Sequence, residues 1–475
     1  MAHRLAARTR NAVILLFPLL AAAAAPPPSP GAPGGPARRG SVEPLPLAGL
    51  SAERFTAPTG QRGWRVKVPG GRALATPAVV DGTVYVGGGF GSHEFYAFDA
   101  ATGRPRWAIR VSDDGPTAAV VADGRVVFNT ESCTLFVVDA RTGRPLWSRW
   151  LGDPLMSQPA VRAGVVYMAY PGSDGQHRLV ALRLQDGALV FERRIAGDVV
   201  SAPVVEGDSV YLTTTDGTVY RHALSDGRLL FERRMNATSA PSVAEGEVLV
   251  AQSDPSAPRG GVRQEGVRRL GADGAYRGEL LAAKDAAYLE PAVQDRSRYS
   301  AKASADDASV GFGGGAPAVA KAEAAKANLG QGTVRGIWEF QGSRPTVVKG
   351  RSYLTQGDVV RGLDRKSGEV LWERKLAGDA AGTGGHLGTP PAFAGGKLVI
   401  GTAAGEVVGY AAEGGAELFR VATGEEIRFQ PALAGGRIFV GTAVGTLVAI
   451  ESGDPTLDGW TMWGGGPEHD GPARG

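Results

Sequence analysis

The 475-residue chain has a single cysteine, Cys133, and only six histidines, at positions 3, 93, 177, 222, 386 and 469. One thiol excludes an internal disulfide, and histidines without paired spacing beside a lone cysteine supply no transition-metal ligand set. Cys133 lies in a strand-like run and reads as a small buried hydrophobe. No serine stands on a nucleophile elbow and no other triad motif is present, so hydrolase chemistry finds no support. Acidic residues are missing from the first 25 positions, where Arg4, Arg8 and Arg10 precede an apolar run from Ala12 to Ala25. That is the layout of a secretory signal, residues 1–25, because 14 apolar residues fall short of the roughly 20 that span a bilayer. Pro26 points to cleavage slightly before Ala25. Losing the three leader arginines brings the formal net charge of +3 to zero, which excludes nucleic acid as a partner. No cysteine follows the leader to accept a lipid, so the expectation is a periplasmic or secreted monomer whose membrane contact is indirect.

What the chain does have is glycine, 70 residues of it, without a collagen period. With 43% hydrophobic and 21% charged residues, this composition gives a sizeable core built from short strands and many tight turns. After a proline-rich stretch, residues 26–60, which reads as a flexible linker, a pattern begins at Pro77. A proline is followed four or five residues later by glycine, and eight residues later by a strand residue. The pairs are Pro77 with Tyr85, Pro159 with Tyr167, Pro203 with Tyr211, Pro241 with Leu249, Pro345 with Tyr353, Pro391 with Val399 and Pro431 with Phe439. A copy without the proline, Ala119 to Phe128, brings the number to eight.

Six of the eight units carry a second signal, a turn glycine with an aromatic residue four positions on. These are Gly103 and Trp107, Gly143 and Trp147, Gly187 and Phe191, Gly227 and Phe231, Gly368 and Trp372, Gly415 and Phe419. Glycine supplies the positive φ of a tight hairpin, and the aromatic buries a large apolar surface against the neighbouring unit. Asp99, Asp139 and Asp364 fit the same turns by accepting backbone amides. The starts are separated by 42, 40, 44, 38, 104, 46 and 40 residues, the period of a four-stranded propeller blade with one insertion, about residues 254–336. Alternation in "GTVYV" and "GTLVAI" agrees with such strands.

The reading is therefore all-β: an eight-bladed β-propeller of short four-stranded antiparallel blades over residues 61–453, followed by a Trp- and Gly-rich tail, 454–475. The last unit lacks its aromatic strand, whereas "GWRVKV" at Gly63–Val68 is an aromatic strand with no unit before it. Trp64 is thus expected to complete the last blade and close the ring, in preference to the tail around Trp460 and Trp463. The blade-docking set is Trp64, Trp107, Trp147, Phe191, Phe231, Trp372 and Phe419.

The phrases "LFVVDARTGRPLW" and "VVRGLDRKSGEVLW" resemble the tryptophan-docking repeat of the PQQ-like, quinoprotein-type propellers. The resemblance runs from about Arg62 to Gly453, and the tail "DGWTMWGGGPEHDG" resembles a phrase common at the ends of such proteins. The family includes quinoprotein dehydrogenases, BamB-type outer-membrane assembly factors and other envelope proteins, and a shared fold does not choose among them. A dehydrogenase of this kind would hold PQQ over a tryptophan floor beside calcium, with an aspartate base. No adjacent-cysteine pair, calcium ligand set or base can be assigned here, so no catalytic, cofactor-binding or metal residue is named and no cofactor is expected. The resemblance implies a non-enzymatic envelope scaffold that binds protein partners, BamB-like, with a dehydrogenase or a ligand-sensing propeller as alternatives.

Three segments remain. The insertion contains "AVAKAEAAKA" at Ala318–Ala327, which suits a short helix in a partner-binding loop or a tolerated, disordered insert. The connection Gly378–Gly388 offers Asp379 and His386 as polar candidates, or is a plain connector. "VGGGFGS" at Val86–Ser92 has the glycines of a phosphate loop but no following helix, and reads as a hairpin turn.

Overall fold

Proline lacks the N–H that a strand interior needs, so the repeated prolines stand at strand entries. In the computed structural model each is followed at once by a three-residue innermost strand: Ala78–Val80 in blade 1, Ala160–Arg162 in blade 3, Val204–Glu206 in blade 4, Ser242–Ala244 in blade 5, Thr346–Val348 in blade 6, Ala392–Ala394 in blade 7 and Ala432–Ala434 in blade 8. Blade 2, without the proline, starts at Val120–Ala122. The structure describes residues 40–471 except 153–156, 173, 175, 200, 254–262, 289–342, 381, 382 and 384. The secretory leader and the Ala318–Ala327 segment lie outside the described residues.

Eight antiparallel sheets are arranged as an eight-bladed β-propeller, and no helix occurs among the described residues. Second strands such as Thr83–Gly87 and Ser209–Thr213 are buried along their whole length, because alternate side chains face the two adjoining blades. Closure follows the sequence expectation. Arg62–Lys67 is the fourth strand of blade 8, paired antiparallel with Thr446–Glu451 so that Trp64 stands opposite Ala449.

Three boundaries differ from the sequence reading. The 26–60 stretch is not wholly linker. Val42–Pro44 adds a fifth strand to blade 1, and Glu53–Thr56 adds one to blade 8. Edge addition needs only backbone donors and acceptors, so strands of three and four residues leave no alternation to read. The insertion does not begin at residue 254 as a continuous segment. Arg263–Gly271 and Tyr276–Tyr288 are the two outer strands of blade 5, unrecognised because the turn at Gly274 has glycine rather than an aromatic four residues on. The tail from residue 454 is not an appendage, and its path is described below.

Antiparallel blades set two faces. The first and third turns of each blade emerge on one, which we call the turn face, tied together by bonds such as Ala100 N–H to Gly82 O at 3.0 Å and Ala140 N–H to Gly124 O at 3.0 Å. Second turns and the links between blades emerge on the other, the loop face. In blade 5 the strand ends at Ser253, Arg263 and Tyr288 lie on the loop face.

Candidate functional site

Ring contacts between blades repeat one device at the rim. A Cβ on Gly143 would lie 2.8 Å from the Trp107 ring, and the φ of +71° at this position suits only glycine without strain. The same superposition puts Trp64 over Gly103, Trp147 over Gly187, Phe191 over Gly227, Phe231 over Gly274 and Trp372 over Gly415, in each case the turn glycine of the next blade. Where the aromatic is tryptophan, its Nε1–H also donates across the seam: Trp64 to Ala100 O at 3.1 Å, Trp107 to Ala140 O at 3.0 Å, Trp147 to Leu184 O at 2.8 Å and Trp372 to Ala412 O at 3.0 Å. Phenylalanine cannot donate, which leaves the arginine two residues on, Arg193 to Asp226 O and Arg233 to Gly274 O, a bond that Arg149 and Arg374 also make beside Trp147 and Trp372. Phe419 is placed differently. It covers Gly409 of its own blade and is only partly buried, because blade 8 changes chain segment where the turn glycine would stand.

The axis is held by another means. Innermost strands are sheet edges whose outward amides point to the channel, and an unpaired buried amide is costly. After Thr446–Glu451 the chain turns at the turn face, Ser452 N–H to Gly436 O at 3.0 Å, and enters the channel. There its carbonyls accept from the central residue of four innermost strands: Trp460 O from Leu433 at 2.6 Å, Thr461 O from Val79 at 2.7 Å, Pro467 O from Val161 at 2.8 Å and Glu468 O from Val205 at 2.8 Å. Trp460, Met462 and Trp463 are all buried. The tail is a plug. Its centre is Arg344, one residue before Pro345 and buried against the tail. The Arg344 guanidinium lies 4.8 Å from the Trp463 ring centroid, donates to Pro241 O at 3.3 Å, and also donates to His469 O. Burial pushes its pKa down to about 10, opposed by the charge of Asp470, so it stays a cation at neutral pH. Trp463 meets His469 edge-on at 4.8 Å, and Gln430, at the position equivalent to Arg344, accepts from Gly464 N–H at 3.0 Å. Burial holds His469 neutral, at about 3, with its Nδ1 3.1 Å from Pro203 O.

Sequence reasoning singled out other residues too. Asp379 is exposed and His386 half-buried with its pKa lowered to about 4 by desolvation, and nothing in the described geometry joins them into a site. The glycines of Val86–Ser92 form the hairpin between Thr83–Gly87 and Glu94–Asp99, and Gly91 N–H donates to the Glu131 carboxylate, the position an anion would need. Burial works against ionisation of Asp99, but bonds from Arg106 and Thr102 hold it down at about 2, a turn residue rather than a base. Cys133 is fully buried in the core of blades 1 to 3. Among the described residues no group of three or more His, Cys, Asp or Glu is placed to hold a metal ion. Arg344 and His469 escaped the sequence reading because neither has an echo in the other repeats, and Gln430 because its position, the residue before the repeat proline, is glutamine only here and at Gln158.

The profile of the family described as outer membrane protein assembly factor BamB matches residues 51–159, 131–285 and 355–464. The outer membrane protein assembly factor BamB of Yersinia pestis is 27% identical over 236 residues, a match spanning 44% of this chain and 59% of that protein, less than two thirds of its length. Among solved structures, BamB from Moraxella catarrhalis superposes with a TM-score of 0.52 at 14% identity, covering 84% of this chain and 99% of the other. The quinohemoprotein alcohol dehydrogenase from Comamonas testosteroni superposes with a TM-score of 0.54 at 14% identity, covering 82% and 76%. Sqt1 of Saccharomyces cerevisiae does so with 0.54 at 11%, covering 85% and 99%. At such identities the likeness is one of fold.

Proposed function

Since its profile matches span well over half of the sequence, the chain belongs to the outer membrane protein assembly factor BamB family, and from that premise we propose that it is a non-enzymatic scaffold of the cell envelope, binding protein partners during outer-membrane protein assembly. The observation that carries this reading is the plugged axis. A rigid ring whose centre is occupied by its own tail offers its faces and rim to partners, and rigidity lowers the ordering entropy lost on binding. The leader in the sequence is consistent with an envelope location.

The fold likeness to the alcohol dehydrogenase raises a quinone-dependent second reading, and the residues on the axis do not fit it. Such a cofactor wants a free aromatic floor with cation ligands beside it. Trp463 already has Arg344 over its face and His469 at its edge, and the rim tryptophans donate to neighbouring blades.

A thermal-unfolding titration of the chain from residue 26 with PQQ and Ca²⁺ separates the two readings. The expected outcome is no shift, together with reduced outer-membrane barrel protein levels when the chain is depleted from cells. A ligand at a hundred times its dissociation constant would stabilise by roughly 2.7 kcal/mol, and a saturable rise of that order would replace the scaffold reading with an enzymatic one.

A further inference from the structure

The residue before the rim aromatic carries a side chain in six blades, as Arg106, Leu146, Val190, Leu230, Leu371 and Leu418. In blade 8 that residue is Gly63, ahead of Trp64. A Cβ there would collide with Ala449 O and lie 2.7 Å from the Phe55 ring, so no larger residue fits. The added strand Glu53–Thr56 runs along this bare stretch, with Arg54 opposite Trp64, Phe55 opposite Gly63 and Thr56 opposite Arg62. Beside the pair lies a cavity of about 300 Å³, lined by Arg54, Phe55, Thr56, Arg62, Gly63 and Glu451. Glu451 ends the third strand of the blade and Arg62 begins the fourth, which puts the cavity at the turn-face end of the rim. Its size is at the lower end of the range for small-molecule sites.

The charges around this cavity do not balance. Residues opposite one another share a face of the sheet, as do alternate residues of one strand, so Arg54, Thr56 and Arg62 project on one side. Arg54 and Arg62 are diagonal neighbours, a relation that sets side chains roughly 7–8 Å apart at their base and within mutual reach. Arg65, on the same pair of strands, is already held by the Glu53 carboxylate through bonds of 2.7 and 3.0 Å. Arg54 has no ion pair among the described residues. Arg62, its side chain 77% exposed, has one contact of 3.5 Å to Glu451, whose other oxygen lies 3.8 Å from Arg437. The cavity and its edge thus hold three guanidinium groups and one carboxylate. An exposed pair this loose contributes little, so both cavity arginines keep donors for an incoming anion. The fifth strand of blade 1 builds no such site, because Glu43 stands opposite Arg110, which already donates to Glu94 at 2.9 Å.

We propose that this cavity binds a phosphate group, with the guanidinium groups of Arg54 and Arg62 and the Thr56 hydroxyl donating to its oxygens and the Phe55 ring packing against whatever carries it. The planar fork of arginine matches a phosphate bidentately, and two forks offset the two negative charges of a phosphate monoester. A lipid headgroup and a soluble phosphate ester offer the same chemistry. The added strand brings Arg54, Phe55 and Thr56, so the site depends on the N-terminal segment pairing with the ring. It goes beyond the scaffold reading and stands or falls separately from it.

Two probes test it on the whole chain at fixed ionic strength: glycerol 1-phosphate titrated by calorimetry, and flotation with phosphatidylcholine vesicles that contain or lack phosphatidylglycerol. Saturable millimolar binding of the ester identifies a soluble ligand, and flotation that requires phosphatidylglycerol identifies a lipid headgroup. In either case slowed amide exchange is expected in Glu53–Thr56 and Arg62–Lys67. The double variant Arg54→Gln with Arg62→Gln, at unchanged melting temperature, should weaken binding about tenfold or more. Arg141→Gln with Arg144→Gln removes the same charge from exposed positions in the third turn of blade 2 and should leave binding as it was. Equal loss in both double variants, exchange protection elsewhere, or no binding in either arm would overturn the inference, and the exchange map needs no variant to fold. A PQQ-dependent thermal shift would instead sink the scaffold reading, whatever the phosphate probes do.

Discussion

Rim and axis of this ring are held by opposite means. At the rim one modest contact is repeated around the circle, an aromatic ring over a neighbour's glycine with one or two cross-seam hydrogen bonds. On the axis one tail makes contacts that occur once, threading four innermost strands and burying a cation between a tryptophan and backbone carbonyls. Repetition tolerates variation, since phenylalanine replaces tryptophan in blades 3 and 4 and the arginine bond two residues on is kept. The axis has no second copy to fall back on.

If that contrast is right, damage to the axis should exceed equivalent damage to the rim. Trp463→Ala empties a buried site and leaves Arg344 without its aromatic face, so a loss of about 3–5 kcal/mol is expected in chemical denaturation. A loss under 1 kcal/mol would mean the plug is dispensable. Acid should act next. His469 has a folded pKa of about 3 against an unfolded value of about 6.5, so the unfolded chain takes up the proton first and stability falls as pH drops through that window. By pH 5 this one group removes about 2 kcal/mol, because each unit of pH below 6.5 costs about 1.36 kcal/mol. His386, at about 4, acts in the same direction, whereas the depressed carboxylates Asp99 and Asp454, both about 2, lose their contribution only below pH 4. Melting temperatures from pH 7 to 5 should therefore fall, and fall less in His469→Gln. An unchanged slope in that variant would remove His469 from the account. The smallest effect belongs to the rim. Trp107→Phe keeps the ring over Gly143 and removes only the bond to Ala140 O, a loss of about 1 kcal/mol by denaturant midpoint.

The same contrast explains what could be read in advance. Seven copies of a proline-led strand with one that lacks the proline, and six of a glycine-to-aromatic spacing, gave the blade count and the closing role of Trp64, because each weak signal is repeated until chance is excluded. Blade 5 was misread where the repeat loses its aromatic, at Gly274 followed by Gly278 rather than a tryptophan. The strands Val42–Pro44 and Glu53–Thr56 were hidden because an added edge strand is chosen by backbone pairing and one or two side chains, such as Phe55. Trp460 and Trp463 were noticed as a possible closing strand. Their place in the channel depends on edges that exist only once the ring has closed.

Composition, repeat period and turn chemistry determined that this chain would build a closed ring of short antiparallel blades, since those rules act between residues near in sequence. Tertiary structure alone decided that Arg344 meets Trp463 and His469, that four separated strands share one tail, and that among the described residues a fifth strand is added to blades 1 and 8 and to no other. These choices depend on which unsatisfied backbone groups are brought together in space, and no local pattern encodes that.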